Sequence, residues 1–197
     1  YYAGQPLQNQ PTIKALYRDK AGAIYLCHAD GIFILQTGKR GIQYLRNYHF
    51  RDTKIPENDV RSFTEDEQGQ IWMATTNGMA RLNMNNGALA SYAPFASDNP
   101  IEYPSYRELL NDGTMIWIGS SGNGVWAMHK ATGRYKRPIP ISGNSDTALI
   151  RQFNSTYIWK FIKLKNGNIL VIGGGRSFLL NPTTLQYKKM SFESAGQ

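Results

Sequence analysis

A repeated motif constrains the fold of this chain more than any other feature. Its clearest copy, residues 59–92, reads DVRSFTEDEQGQIWMATTNGMARLNMNNGALASY. Apolar and polar residues alternate before a turn at 66–69, and the β-branched and aromatic run that follows this turn predicts a second strand. Turns at 76–78 and 85–87 then separate a third and a fourth strand. No segment has the length or the 3.6-residue period of a helix, so the motif predicts a four-stranded antiparallel meander.

The same order of strands and turns recurs at residues 13–35, 106–135 and 157–187. The isoleucine that begins the second strand recurs at intervals of 47, 45 and 53 residues, as Ile24, Ile71, Ile116 and Ile169. A four-stranded unit that repeats every 40 to 50 residues or so is typical of a propeller blade. A sandwich of hairpins is the alternative, but sandwich strands need not repeat their turn chemistry. We therefore predict one all-β domain over residues 1–197, a β-propeller segment of four four-stranded antiparallel blades at about 13–47, 58–93, 105–137 and 156–190.

The formal net charge of +8 raises the question of an acidic partner. Basic residues cluster at 134–137 and at 160–165, but others are spread through all four repeats. No recognition helix or aromatic–basic RNA motif accompanies them, so we do not expect this segment to bind nucleic acid. A solvated outer surface and a site for an anionic saccharide are the two interpretations that we retain.

Residues for catalysis or metal binding do not form a recognisable set. His28, His49 and His129 lack carboxylates at metalloprotease spacing, and the single cysteine, Cys27, cannot form a disulfide or a thiolate zinc site. A nucleophile elbow and a P-loop are also missing from the sequence. We therefore predict no cofactor, no metal and no catalytic residue, and we interpret Cys27 as a small buried side chain.

The start of the sequence suggests a piece of a longer protein. The chain begins YYAGQPLQNQ, without an initiating methionine or the charged and apolar regions of a leader. No apolar run reaches the length of about 18 residues that a membrane-spanning helix needs, so none is predicted within this segment.

The second repeat carries a family resemblance. The residues that carry it are Asn58, Val60, Asp66, Gly69, Ile71, Trp72, Thr75 and Gly78. They resemble the two-component regulator propeller repeat, whose usual form is roughly N-x-V-x-x-I-x-x-D-x-x-G-x-[LI]-W-[IV]-G-T-x-x-G-[LV]-x-x-[FLY]. The match is specific in the second repeat, good in the third and weaker in the first and fourth, where Tyr25 and Leu170 replace the tryptophan. Ala74 also stands where glycine is usual.

The resemblance implies a function for the longer protein. Most proteins with this repeat are sensor regions of hybrid two-component histidine kinases of gut Bacteroidetes, with seven-bladed propellers in the periplasm, and many of them respond to oligosaccharides. It thus implies a non-catalytic, periplasmic sensor segment of an inner-membrane receptor that is dimeric as a whole and responds to an oligosaccharide, including an anionic one. Four blades are fewer than seven, so we expect an open arc whose end faces pack against the remaining blades or a second chain. A lyase-type propeller enzyme and a purely structural or dimerisation propeller are the alternatives.

Topology predicts where a ligand would bind. In propellers, the turns between second and third strands gather with the crossings between blades on one face around the axis. This rule selects ten candidate ligand-binding residues, His28, Asp30, Asn58, Arg61, Thr76, Asn77, Ser121, Asn123, Arg151 and Arg176. Their hydrogen-bonding groups suit a sugar, and the arginines can pair with a sulfate or carboxylate. Trp72 and Trp117 occupy the core position of the repeat, so we expect them to pack between blades.

Overall fold

Short strands separated by tight turns make up most of the described part of the chain, as the repeat predicts. The computed structural model describes residues 12–28, 31–39, 41–49, 59–92, 105–143 and 145–191. The first sheet contains β1 (Ala15–Arg18), β2 (Ala23–His28), β3 (Gly31–Gly38) and β4 (Gly41–His49). The second contains β5 (Val60–Glu65), β6 (Ile71–Thr75), β7 (Gly78–Leu82) and β8 (Leu89–Tyr92). The third contains β9 (Tyr106–Asn111), β10 (Met115–Ser120), β11 (Val125–His129) and β12 (Tyr135–Lys136). After β13 (Ile139–Pro140) and α1 (Thr147–Asn154), the fourth sheet contains β14 (Ile158–Lys163), β15 (Ile169–Gly173), β16 (Arg176–Asn181) and β17 (Gln186–Lys189).

Each sheet is a meander in which consecutive strands pair antiparallel. The first strands of neighbouring sheets, β1, β5, β9 and β14, lie next to one another and form the inner edge of the arc. The predicted fold class, an all-β propeller of four four-stranded antiparallel blades, is confirmed. The position of the inner strands matters for function because their ends surround the axis, where ligands of a propeller can bind.

The aspartate and the aromatic residue of the motif bond to each other. In the second sheet Asp66 Oδ1 accepts hydrogen bonds from the backbone N–H groups of Gln68 and Gln70, at 3.0 and 2.9 Å. Its Oδ2 accepts one from Trp72 Nε1 at 2.8 Å. Asp19 repeats the arrangement in the first sheet with the Ala23 N–H and the Tyr25 hydroxyl. The carboxylate therefore closes the turn and orients the large core side chain at the same time.

Aromatic and aliphatic side chains fill the spaces between consecutive sheets. Trp72 and Met79 of the second sheet pack with Tyr106 and Ile116 of the third, and all four are completely buried. Trp117 of the third sheet packs in the same way against the fourth. The predicted packing role of Trp72 and Trp117 is confirmed, and Cys27 is buried between the first two sheets as expected.

The outer faces of the first and fourth sheets carry apolar residues without a neighbouring sheet in the described chain. On the first sheet, strand register aligns Leu16, which is 67% exposed, with Leu26 and Phe33. On the fourth, it aligns Ile162 with Leu170 and Leu179. Extensive contacts between sheets, within the described residues, join only consecutive sheets. The sheets therefore form an arc with two open apolar faces.

Two elements between the third and fourth sheets differ from the prediction. The repeat does not predict a helix between these sheets, but residues 147–154 form α1. Asp146 caps its N-terminus by accepting a hydrogen bond from the Leu149 N–H at 3.0 Å. Strand β13 pairs in parallel with β17 and adds a fifth strand to the outer edge of the fourth sheet. No helix in the described residues is long and apolar enough to cross a bilayer.

Candidate functional site

A bulge recurs near the start of three inner strands. The register slips between Val60 and Ser62 in β5 and between Ile158 and Lys160 in β14. In β9, Tyr106 and Glu108 pair with consecutive residues of β10. The unpaired residues are therefore Arg61, Arg107 and Trp159. Because a bulge turns a side chain away from the regular face of a sheet, it gives these residues a common and distinct position at the inner edge.

A charged cluster joins the first three sheets at this end of the inner strands. Asp59 Oδ2 accepts hydrogen bonds from Arg61 Nε and Nη2, each at 3.1 Å, and its Oδ1 lies 3.1 Å from Lys14 Nζ. Arg61 Nη1 donates to Ser105 Oγ at 3.1 Å and lies 3.5 Å from Ser121 Oγ. Burial opposes ionisation of Asp59, but the hydrogen bonds from Lys14 and Arg61 outweigh it and lower the pKa of this carboxyl. The cluster thus holds two cations and one anion, an excess of one positive charge.

The next two inner strands continue the basic lining. Arg107 lies over the Tyr157 ring, with its guanidinium carbon 4.4 Å from the ring centroid, and donates a hydrogen bond to the Tyr157 hydroxyl. Glu108 is buried and pairs with Lys160, with 2.6 Å between Oε1 and Nζ. Trp159 occupies the third bulge and is 55% exposed. An exposed indole beside fixed guanidinium groups can stack on a flat ligand while the cations bind its anionic groups.

The structure brings two of the ten predicted ligand residues into direct contact, Arg61 and Ser121. Asn123 lies in the same β10–β11 turn and accepts a hydrogen bond from Arg137. Arg137 lies 3.9 Å over the Trp126 ring, and burial lowers the pKa of its guanidinium to about 10. Thr76 and Asn77 occupy the β6–β7 turn, where Thr75 Oγ1 accepts a hydrogen bond from the Asn77 N–H at 3.2 Å. Four of the five predicted residues named here, all except Arg61, thus lie in turns at the predicted end of the sheets.

The remaining predicted residues are less suited to this site or lie outside the described residues. His28 is the last residue of β2, not a turn residue, and is buried with its ring stacked 4.4 Å from that of Phe33. Arg151 lies in the crossing between the third and fourth sheets, as expected, but in the helix α1, and is exposed. Arg176 begins β16 and is also exposed. Asp30 and Asn58 lie outside the described residues.

Sequence reasoning missed Lys14, Asp59, Ser105, Arg107 and Trp159. A signal for some of them exists, because a residue that directly follows an apolar residue recurs at the beginning of every repeat. It lies within the inner strand in Val60-Arg61 and Tyr106-Arg107, and just before β1 in Ile13-Lys14. Aligning this position across the repeats gives Lys14, Arg61, Arg107 and Trp159. The bulge at this position depends on how two strands pair, so it cannot be recognised from the sequence of a single repeat.

Comparisons with known proteins agree with the repeat and the fold. The family described as the two component regulator propeller matches residues 54–77, which include β5 and β6, the first two strands of the second sheet. A search of curated protein sequences finds no significant match. Among solved structures, the extracellular domain of BT4673 from B. thetaiotaomicron, a putative hybrid two component system, superposes with a TM-score of 0.69 at 20% identity. This similarity covers 98% of the present chain and 24% of that one.

Two other structures show the same fold at lower identity. The extracellular domain of BT3049, another putative hybrid two component system of B. thetaiotaomicron, has a TM-score of 0.67 at 16% identity, over 93% of this chain and 25% of that chain. Virginiamycin B lyase from Staphylococcus aureus has a TM-score of 0.69 at 14% identity, over 96% and 59% respectively. The chain thus spans about a quarter of the length of the two extracellular domains that it matches. It contains a two-component regulator propeller repeat, carried on a propeller fold that it shares with extracellular domains of hybrid two-component systems.

Proposed function

We propose that this chain is a non-catalytic sensor segment of a periplasmic two-component receptor and that it binds an oligosaccharide at the inner ends of its sheets. The observation that carries the proposal is the recurrent bulge, which places Arg61, Arg107 and Trp159 at equivalent positions of three inner strands. Sugar recognition commonly needs a flat apolar surface and fixed hydrogen-bond donors, and these residues offer both. The excess of cations favours a saccharide with carboxylate or sulfate groups.

The family match and the fold support the signalling part of the proposal. The repeat in residues 54–77 is of the two-component regulator type, and solved structures of this fold include extracellular domains of two-component systems. In a receptor of this kind the segment binds the signal, and the kinase chemistry is performed elsewhere in the longer protein. The open apolar faces of the first and fourth sheets are, in this proposal, covered by further blades of the receptor or by a second chain.

A glycan array with neutral and acidic oligosaccharides, followed by calorimetric titration of those retained, tests the proposal. Trp159→Ala should weaken binding of neutral and acidic saccharides alike, by about tenfold or more, because it removes the exposed ring on which a sugar can stack. Arg107→Gln should weaken acidic saccharides selectively, because it removes one cation and keeps a hydrogen-bonding side chain.

Lys39→Gln provides a matched control, since it removes one exposed positive charge in the β3–β4 turn of the first sheet. It should leave every affinity unchanged within error. An array without any retained saccharide, or equal losses in Lys39→Gln and Arg107→Gln, would show that the basic inner edge is not a saccharide site.

A further inference from the structure

A second candidate site lies between the third and fourth sheets, at the end opposite to the bulges. The cavity has a volume of about 720 Å³ and is lined by the turns that follow β9, β11, β14 and β16. In a four-stranded meander these turns lie at the other end from the β10–β11 turn that holds Ser121. The cavity is therefore separate from the basic inner edge described above.

Unneutralised positive charge lines one wall of this cavity. Arg134 and Lys136 lie on or next to β12, are exposed, and form no ion pair with any described residue. Lys163 lies on the opposite wall but is already paired with Asp112, with 2.6 Å between Nζ and Oδ1. The lining therefore carries two positive charges in excess, and both belong to the third sheet.

A histidine adds a polar group to the same wall. His129 pairs with Met115 across β10 and β11, and both residues line the cavity. Its Nδ1 is buried and has no hydrogen-bond partner among the described residues. A buried ring nitrogen without a partner costs free energy, so a bound group or water that pairs with it would be favoured.

The rest of the lining is apolar and includes a strained residue. Met115, Pro182 and Leu185 contribute hydrocarbon surface to the cavity. Leu185 has a φ of +57°, a left-handed conformation that branched apolar residues rarely adopt. Its carbonyl accepts a hydrogen bond from the Ile139 N–H at 2.9 Å, which ties this turn to β13. Strain of this kind concentrates at sites where a side chain is held in place for binding.

We infer that this cavity binds an organic oxyanion, a molecule with an apolar ring and a carboxylate, sulfate or sulfonate group. Arg134 and Lys136 bind the anionic group, and Met115, Pro182 and Leu185 contact the ring. The cations come from the third sheet, and the apolar lining comes from Met115 of the third sheet and from Pro182 and Leu185 of the fourth, so a purely polar anion or a purely apolar ring uses only part of the site. The inference does not depend on the saccharide site at the inner edge.

Three small molecules test the assignment: naphthalene-1-sulfonate, the neutral 1-naphthol, and sulfate. Binding is followed by NMR of protein labelled at the methionine methyl groups, with the Met115 signal assigned by Met115→Leu. Naphthalene-1-sulfonate should shift the Met115 signal in a saturable way and leave the buried Met73 and Met79 signals in place. Sulfate and 1-naphthol should bind at least about tenfold more weakly, because each lacks half of the contacts.

Two double variants with equal loss of charge complete the experiment. Arg134→Gln with Lys136→Gln should weaken naphthalene-1-sulfonate by about tenfold or more. Lys188→Gln with Lys189→Gln removes the same charge from exposed positions of β17 and should leave the affinity unchanged. Any one of three results would overturn the inference: no shift of the Met115 signal, equal losses in the two double variants, or sulfate binding as tightly as naphthalene-1-sulfonate.

Discussion

At the scale of single residues, the aspartate and the aromatic residue of the repeat occur together because one carboxylate closes the turn and also accepts a hydrogen bond from the aromatic side chain. The aspartate and aromatic positions were visible in the sequence, but the bond between Asp66 and Trp72 was not predicted. The third sheet shows that the bond matters more than the spacing, because Asp112 lies directly before the turn glycine and still accepts from Trp117 Nε1 at 3.4 Å. In the fourth sheet, Leu170 occupies the aromatic position and cannot make this bond.

Asp66→Asn should destabilise the protein by about 1–3 kcal/mol, because an amide nitrogen in place of Oδ2 leaves the buried Trp72 N–H without an acceptor. The side-chain oxygen that remains can still accept from the turn. Chemical denaturation measures the cost, and Trp72→Phe supplies the matched background, since it removes the indole donor. In that background Asp66→Asn should cost much less. An equal cost in both backgrounds would assign the effect of Asp66 to the turn alone.

At the scale of elements, the sequence predicted strands well and the helix not at all. Strands follow local patterns, namely alternation and turn residues, which the sequence displays directly. Helix α1 has eight residues and follows a stretch with two prolines and a glycine, which are residues that favour loops. Tertiary packing stabilises it: the Phe153 ring stacks 3.7 Å from that of Tyr187 and meets Phe178 edge-on at 5.0 Å. The local signal was the capping residue Asp146, which alone is weak.

The docking of α1 on the β10–β11 turn can be tested with two glycines of that turn. Both have a positive φ, +83° at Gly122 and +64° at Gly124, so alanine costs about 1–2 kcal/mol of backbone strain at either position. A Cβ on Gly122 meets open space, whereas one on Gly124 would lie 2.5 Å from the Phe153 carbonyl oxygen. Gly124→Ala should therefore lose about 1–3 kcal/mol more than Gly122→Ala in chemical denaturation. Equal losses in the free energy of unfolding would mean that α1 can move away from residue 124 without cost.

The candidate site also divides into predictable and unpredictable parts at this scale. Topology correctly indicated that turns and inner strands meet at one end, which is how Arg61 and Ser121 come into contact. Sequence reasoning did not identify Arg107 and Trp159, because their exposure depends on bulges and a bulge is defined by the pairing of two strands. His28 was misplaced because β2 extends through it and stacks its ring on Phe33.

At the scale of the whole molecule, charged contacts join each pair of neighbouring sheets. They lie at the end of the strands opposite to the bulges. The Lys20 N–H donates to Glu65 Oε2 at 2.9 Å between the first two sheets. Glu67 pairs with Lys130 between the second and third, and Lys163 with Asp112 between the third and fourth. The apolar contacts between sheets are non-directional, whereas these pairs fix how neighbouring sheets are aligned. They also make the assembly of the arc sensitive to acid.

The pKa of Glu67 defines the pH range of this sensitivity to acid. Burial opposes its ionisation, but the hydrogen bonds from Lys130 and Asn111 outweigh burial and lower its pKa from 4.5 to about 2. Because the folded pKa is depressed, Glu67 stabilises the fold above pH 4.5, and this stabilisation is lost as the pH falls toward about 2. Glu67→Gln does not titrate. Its melting temperature should therefore lie below that of the wild type near neutral pH and approach it as the pH falls through this range.

Thermal melts across the same pH range, with two lysine variants, separate this pair from the general effect of charge. Lys130→Met removes the partner of Glu67, so its melting temperature should approach that of the wild type on acidification, as for Glu67→Gln. Lys188→Met removes an equal charge from an exposed position on β17 and should stay parallel to the wild type throughout. If the Glu67→Gln curve instead remains parallel to the wild type, the Glu67–Lys130 contact does not stabilise the junction. The alignment of the second and third sheets then rests on their apolar core and on hydrogen bonds such as that from Arg61 to Ser105.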